Sequence, residues 1–182
     1  MADNLTEKQR KKCMSNIHST DTKPEVLLRN GLWHLGFRYR INDKHLPGRP
    51  DIILPKYRTA IFVHGCFWHG HKNCSKYSAP KSNTDYWTAK ISRNQQRDQE
   101  VWRQLVAKGW FVSIVWECQL KKSVLDETIK HVATELFKNG EELRRIQGER
   151  RLSRLAYLHN QKSRKEKTES LLAEIKSHKL SI

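Results

Sequence analysis

No stretch of this 182-residue sequence approaches the ~20 consecutive apolar residues of a membrane span, so no spanning helix and no membrane partner are expected. The start, MADNLTEKQRKK, lacks the apolar core of a secretory signal, which predicts a cytoplasmic protein. Cysteine is scarce, with Cys13, Cys66, Cys74 and Cys118 alone. In a reducing compartment these are not expected to form disulfides, and clustered ones point to a metal instead. Acids are scarce too, 19 Asp and Glu against 35 Lys and Arg, for a formal net charge of +16. The excess is spread along the chain: residues 1–140 hold 24 basic against 13 acidic residues, and 141–182 hold 11 against 6. A field of that sign disfavours basic partners and favours a polyanion, most commonly nucleic acid, with a merely solvated basic surface as the alternative. There is no internal repeat, and the length suits one core with an appendage.

What is present reads as an α/β order. Thr22-Lys23-Pro24-Glu25 has the form of a capping box, followed by apolar residues to Leu35 and then Gly36, which predicts a helix from Lys23 to Leu35. Phe37–Ile41 alternates like a strand, a Pro/Gly turn precedes a short strand over Asp51–Leu54, and Thr59–His64 reads as a buried strand. A long helix over Trp87–Lys108 and a strand over Trp110–Glu117 follow. Helix, three strands, helix, strand describes a mixed sheet with helices packed on it. Ser123–Asn139 is expected to be an amphipathic helix stopped by Gly140, with 141–182 a basic extension, read as a solvated helix or disordered tail in preference to a specific DNA-binding arm.

The stretch IFVHGCFWHGHKNC, residues 61–74, carries three histidines, two cysteines and two large aromatics at a strand end. Cys66, His71 and Cys74 give C-x4-H-x2-C, and Cys118 lies just past a neighbouring predicted strand, so a Cys3His zinc set is expected to converge there. Inert buried thiols are the alternative. His64 and His69 are left over as candidates for proton transfer, although a lone histidine is more often structural. Asp51 opens a strand after Pro50, where it suits a hard cation such as Mg2+ or simply forms a turn. Glu25 is already explained by the capping box. Asp98 falls on the apolar side of the second helix with Ile91, Asn94, Trp102 and Leu105, so it must find a partner there. His64 or His69 would make an acid-base pair with it, and Arg93 or Arg97 an ion pair displaced towards solvent.

LPGRPDI (46–52), FVHGCFWHGH (62–71), the helix holding Tyr86-Trp87 and Arg97-Asp98, GWFVSIVWEC (109–118) and SNIHSTDTKPE near the start together resemble the very-short-patch repair (Vsr) endonucleases over roughly residues 7–120. The resemblance implies a restriction-endonuclease-like fold and nicking of duplex DNA beside the thymine of a T:G mismatch, the product of 5-methylcytosine deamination. It implies Asp51 and the backbone carbonyl of Val63 as ligands of a catalytic Mg2+, His69 steadied by Asp98 as base, His64 near the scissile phosphate, and Glu25 holding metal-bound water. It likewise implies Cys66, His71, Cys74 and Cys118 as structural zinc ligands, and DNA contacts by Phe67, Trp68, Trp87, Met14, Arg49 and Lys90. Nucleases of this fold usually carry an acid and a lysine two apart on the strand after the Asp; Phe62 and His64 stand there, so His64 replaces the lysine. The expected enzyme is a monomer of one zinc-containing endonuclease domain, 1–140, with mismatch-repair proteins as further partners. A nuclease of the same fold with a restriction-type substrate and a non-catalytic zinc DNA-binding module are the alternatives.

Overall fold

The computed structural model describes Gln9, residues 20–77 and residues 83–179, with side chains after 163 described at 165 and 167. Cys13 and Met14 lie outside the described residues. Two compact units, Met1–Gly140 and Glu141–Ile182, are distinguished. Among the described residues no helix is long and apolar enough to cross a membrane.

In the first unit, helix α1 spans Lys23–His34, one residue short of the reading from its caps. Its capping box is formed: the Thr22 amide and hydroxyl both donate to Glu25 Oε1, at 3.4 and 2.6 Å. The strand expected over Phe37–Ile41 is not made. Only a single bridge joins Arg40 to Ile53, because Asn42 turns into the left-handed region (φ 49°) and ends the extended run after one rung. Strand β1, Ile52–Leu54, pairs antiparallel with β2, Thr59–His64, through the tight turn at Pro55–Tyr57. Helix α2, Thr84–Ala107, then carries the chain over to β3, Phe111–Trp116, which pairs parallel with β2. A parallel pair needs such a crossover. The result is a mixed three-stranded sheet in the order β1-β2-β3.

Both sheet faces are covered, which explains why β2 reads as an unbroken apolar run. Ile52, Leu54, Ile61 and Val115 point to one side, where they bury against Leu28 and Leu32 of α1 and Ile129, Val132 and Leu136. Ala60 and Phe62 point to the other and pack with Leu105 and Val101 of α2. By the period of two, His64 follows Ala60 and Phe62 onto the α2 side.

The last helix, α3, runs from Leu125 to Lys179 and does not stop at Gly140. Gly140 is not in the left-handed conformation of a helix cap. A Cβ there would lie 3.1 Å from the Tyr57 ring, so close approach of that ring is what requires glycine.

Candidate active site and metal centre

Immediately after β2 the chain turns sharply at residues 65–71, tied by amides of His69, Gly70 and His71 donating to the carbonyls of Gly65, Phe67 and Cys66. Gly70 holds φ +63°, and a Cβ on it would lie 2.8 Å from both Ile91 and Gln95 of α2. The loop therefore lies flat on that helix, and two α2 amides clamp its backbone: Asn94 Nδ2 donates to the Trp68 carbonyl at 2.9 Å and Gln95 Nε2 to that of His69 at 3.0 Å.

That clamp sets His69 against Asp98. Asp98 is 7% exposed on the inner face of α2, with Ile91 and Leu105, and its Oδ2 lies 2.5 Å from His69 Nδ1. A carboxylate accepts, so Nδ1 is the donor, and in a neutral ring Nε2 would be the nitrogen with the lone pair. Arg97 Nη2 donates to the other carboxylate oxygen at 3.2 Å, so the two partners weighed from sequence are both engaged. Burial alone pushes the Asp98 carboxyl up, but the bond from His69, the electrostatic attraction of the His69 and His64 rings when protonated and the bond from Arg97 together hold it below the usual carboxylate range. The His64 and His69 rings stack 3.7 Å apart at 13°. Burial first, and then the neighbouring His69, lower the His64 pKa from 6.5 to about 4, so His64 is neutral at pH 7.

Asp51 enters from the end of β1. Its Oδ2 accepts the Val63 amide at 2.7 Å, and Oδ1 carries no hydrogen bond among the described residues. Its pKa is pushed up from 3.8 to about 6, chiefly by burial, with the Glu25 charge adding and the Val63 bond, Arg29 and His69 opposing. A partly desolvated carboxylate with one oxygen to spare fits a hard cation. Glu25, 3% exposed, has both oxygens occupied, by Thr22 and by Arg29 Nη2 at 2.8 Å with the Asp21 amide at 3.1 Å. Arg29 was not singled out from sequence. Buried at 6% exposure, it also pairs with Asp21 and donates to the Asp51 carbonyl at 3.4 Å, tying α1 to the start of β1. Its spacing of four from Glu25 was the available signal.

Beyond the loop lies a second cluster. Ligand atoms of Cys66, His71, Cys74 and Cys118 all lie within 4.8 Å of one another, as do those of His64, His69 and Asp98. Three sulfurs and an imidazole are a donor set that zinc takes. Burial is the main cause that pushes the Cys66 thiol up to about 12, so this sulfur does not become a thiolate without a cation beside it. Trp116 stands between the clusters. It is the β3 residue in register with His64, meets that ring edge-on at 5.4 Å, and stacks on His71 at 4.0 Å and 4°. Sequence reading missed it because the parallel register is a long-range fact.

Of the DNA-contact candidates, Phe67, Trp68 and Trp87 come together with ring centroids 5.1–5.8 Å apart, all half-buried. Lys90 is half-buried one turn along α2, and Arg49 is exposed in the turn before Asp51.

A family model described as DNA mismatch endonuclease Vsr matches residues 2–76. The type II nicking enzyme V.NmeAIP of Neisseria meningitidis is 48% identical over 137 residues, which cover 75% of this chain and 97% of that protein. The type II nicking enzyme V.XorIIP of Xanthomonas oryzae is 46% identical over 120 residues, 66% of this chain and 88% of that protein. The DNA mismatch endonuclease Vsr of Escherichia coli is 40% identical over 131 residues, 71% of this chain and 83% of that protein.

Proposed function

The chain belongs to the Vsr family of DNA mismatch endonucleases, and from that membership we propose that it nicks duplex DNA beside the thymine of a T:G mismatch, initiating very short patch repair. The reading includes a restriction-endonuclease-like fold, action as a monomer in the cytoplasm, and mismatch-repair proteins as later partners. One observation carries the chemistry: His69 is held by Asp98 through Nδ1 and stacked on a neutral His64, on the sheet side that faces α2.

In this reading His69 Nε2 takes the proton of the attacking water, and Asp98 keeps the ring in the right tautomer and stabilises the cation it becomes. His64, neutral where related nucleases carry a lysine, offers a phosphate oxygen one hydrogen bond rather than a full charge. Asp51 and the backbone carbonyl of Val63 would hold Mg2+, which when bound would supply electrostatic stabilisation of the charge developing on the phosphate. Glu25 is engaged by the helix cap and Arg29, so its part is limited to orienting a metal-bound water from a fixed place. Cys66, His71, Cys74 and Cys118 would hold Zn2+ to shape the loop rather than to act on the bond.

Phe67, Trp68 and Trp87 would enter the base stack at the mismatch, where unstacking costs less than in paired duplex. Arg49, Lys90 and Met14 would contact the DNA around it. A nicking assay on T:G, other mismatched and fully paired duplexes, with Mg2+ or with chelator, tests the reading. Mg2+-dependent nicking of T:G above the rest is expected. Equal nicking of paired duplex would instead mean a restriction-type nuclease, and no nicking with any divalent ion a zinc DNA-binding module.

A further inference from the structure

In the second unit, Glu141–Ile182, the charges are sorted by face. At 100° per residue, Arg144, Arg150, Arg151, Arg154, Lys162 and Lys165 fall within about 120° of arc on α3, and no acidic position between 141 and 167 falls in that sector. The acids sit elsewhere, and two of them, Glu142 and Glu149, are matched. Arg145, outside the sector, donates through Nη2 to Glu142 and through Nη1 to Glu149, both at 2.6 Å. Arg144, Arg150, Arg151 and Arg154 are exposed and take part in no ion pair among the described residues.

Such a face is unfavourable in isolation, since Arg150 and Arg154 are like charges at i,i+4 and Arg151 and Arg154 at i,i+3. Little apolar burial offsets this, with Leu152 67% exposed and Leu155 53% exposed. A polyanion lying along the helix reverses the sign of that repulsion. From Arg144 to Lys165 the stripe runs about 32 Å along the axis, a length over which duplex DNA presents a charge every ~1.7 Å.

We infer that this basic face of α3 is a second DNA-contact surface that grips the phosphate backbone irrespective of sequence or mismatch. Guanidinium groups suit phosphate oxygens by their paired donors. The proposal rests on the reading of the chain as a DNA endonuclease for the identity of the polyanion. It divides the labour: the catalytic unit selects the lesion, and the arm holds the duplex.

The test uses the full chain with Arg144, Arg150, Arg151 and Arg154 all changed to Gln, and the matching quadruple Arg→Lys variant. Binding to fully paired and to T:G duplex is measured between about 50 and 200 mM salt. The Gln variant should lose affinity by the same factor on both duplexes. Its plot of log K against log salt should be shallower by about 0.9 for each phosphate no longer neutralised, so by about 3 to 4 in all. The Lys variant should keep most of the slope. An unchanged slope in a Gln variant whose helix content is intact by circular dichroism overturns the proposal. So does a weakening confined to the T:G duplex, which would make the arm part of the lesion reader. Loss of binding to phosphatidylserine vesicles with duplex binding intact also overturns it, in favour of a lipid surface. Nicking is not read in any arm, so failure of the mismatch assay leaves these outcomes distinguishable.

Discussion

The loop over residues 65–77 feeds two clusters whose ligand-type atoms each converge within 4.8 Å, one through Cys66, His71 and Cys74 with Cys118, the other through His69 with His64 and Asp98. Proximity does not separate them; satisfaction does. Asp98, the only anion of the second cluster, already holds His69 and Arg97, and the neutral His64 is stacked rather than aimed. Its charges are balanced internally, which makes an acid-base pair and not a cage. In the sulfur cluster the hydrogen bonds are weak ones, the Lys76 amide to Cys74 Sγ at 3.4 Å and Cys118 Sγ to His71 Nδ1 at 3.5 Å. Three sulfurs and an imidazole held by such weak bonds remain able to take a cation. Converging ligand types thus indicate a metal only when their lone pairs are otherwise unspent.

The largest expected effect tests that difference from the sulfur side. Cys66→Ser should lose bound zinc and cooperative folding together, because the free energy of a structural zinc site is folding free energy, on the order of 10 kcal/mol. Metal analysis of the purified protein with thermal unfolding of the variant checks it; a zinc-free wild type would remove the distinction between the clusters. From the other side, Asp98→Asn should keep fold and zinc and lower the nicking rate by about 10²–10⁴-fold, the usual worth of an acid-base group. A variant that unfolds would make Asp98 a structural anchor, and a fully active one would take it out of the site.

A smaller effect comes from His64, whose pKa falls from 6.5 to about 4 because folding buries it. The unfolded chain binds the proton more tightly. Stability from this group is therefore complete above pH 6.5 and is lost progressively as pH falls from there to about 4. By pH 5 the loss is about 2 kcal/mol. Denaturant unfolding of wild type and His64→Gln at pH 7.5 and 5 isolates it, since every other group is the same in both. The variant should lose less stability than wild type; equal losses would mean that His64 is protonated in the fold as readily as out of it.

How far the site was readable from sequence follows the range of the interaction that makes it. Helix α1 was legible because Thr22, Pro24 and Glu25 act within one turn, and the inward Asp98 because a helix wheel is local. β2 was legible because a strand covered on both faces needs an unbroken apolar run. Gly140 misled because its reason is the Tyr57 ring, brought there by tertiary packing, while the local sign of a glycine at that place is a helix stop. Arg29 and Trp116 went unseen for the same cause: one reaches the Asp51 carbonyl across 22 residues, and the other meets two histidines through the β2–β3 register. Arg40 shows the converse, an alternating pattern that supports only one bridge when the next residues turn away.

The smallest expected effect lies in the residues that separate the two clusters along the chain, Phe67 and Trp68. Their backbone is held by the Gly70 amide on the Phe67 carbonyl and by the Asn94 amide on the Trp68 carbonyl, while the rings meet each other and Trp87. A rigid backbone with a half-buried ring suits insertion, because little order remains to be imposed when the ring enters a base stack. Phosphate contacts give affinity without choice, so mismatch preference has to come from such rings. Trp68→Ala should weaken binding to T:G duplex by ~1–3 kcal/mol more than to paired duplex. The salt dependence should be unchanged, since no charge is removed. Titrations on both duplexes at several salt concentrations, with thermal unfolding of the variant alongside, decide it. An equal loss on the two duplexes, or a loss that tracks stability, would place Trp68 with the scaffold of the sulfur cluster and leave the mismatch to be read elsewhere.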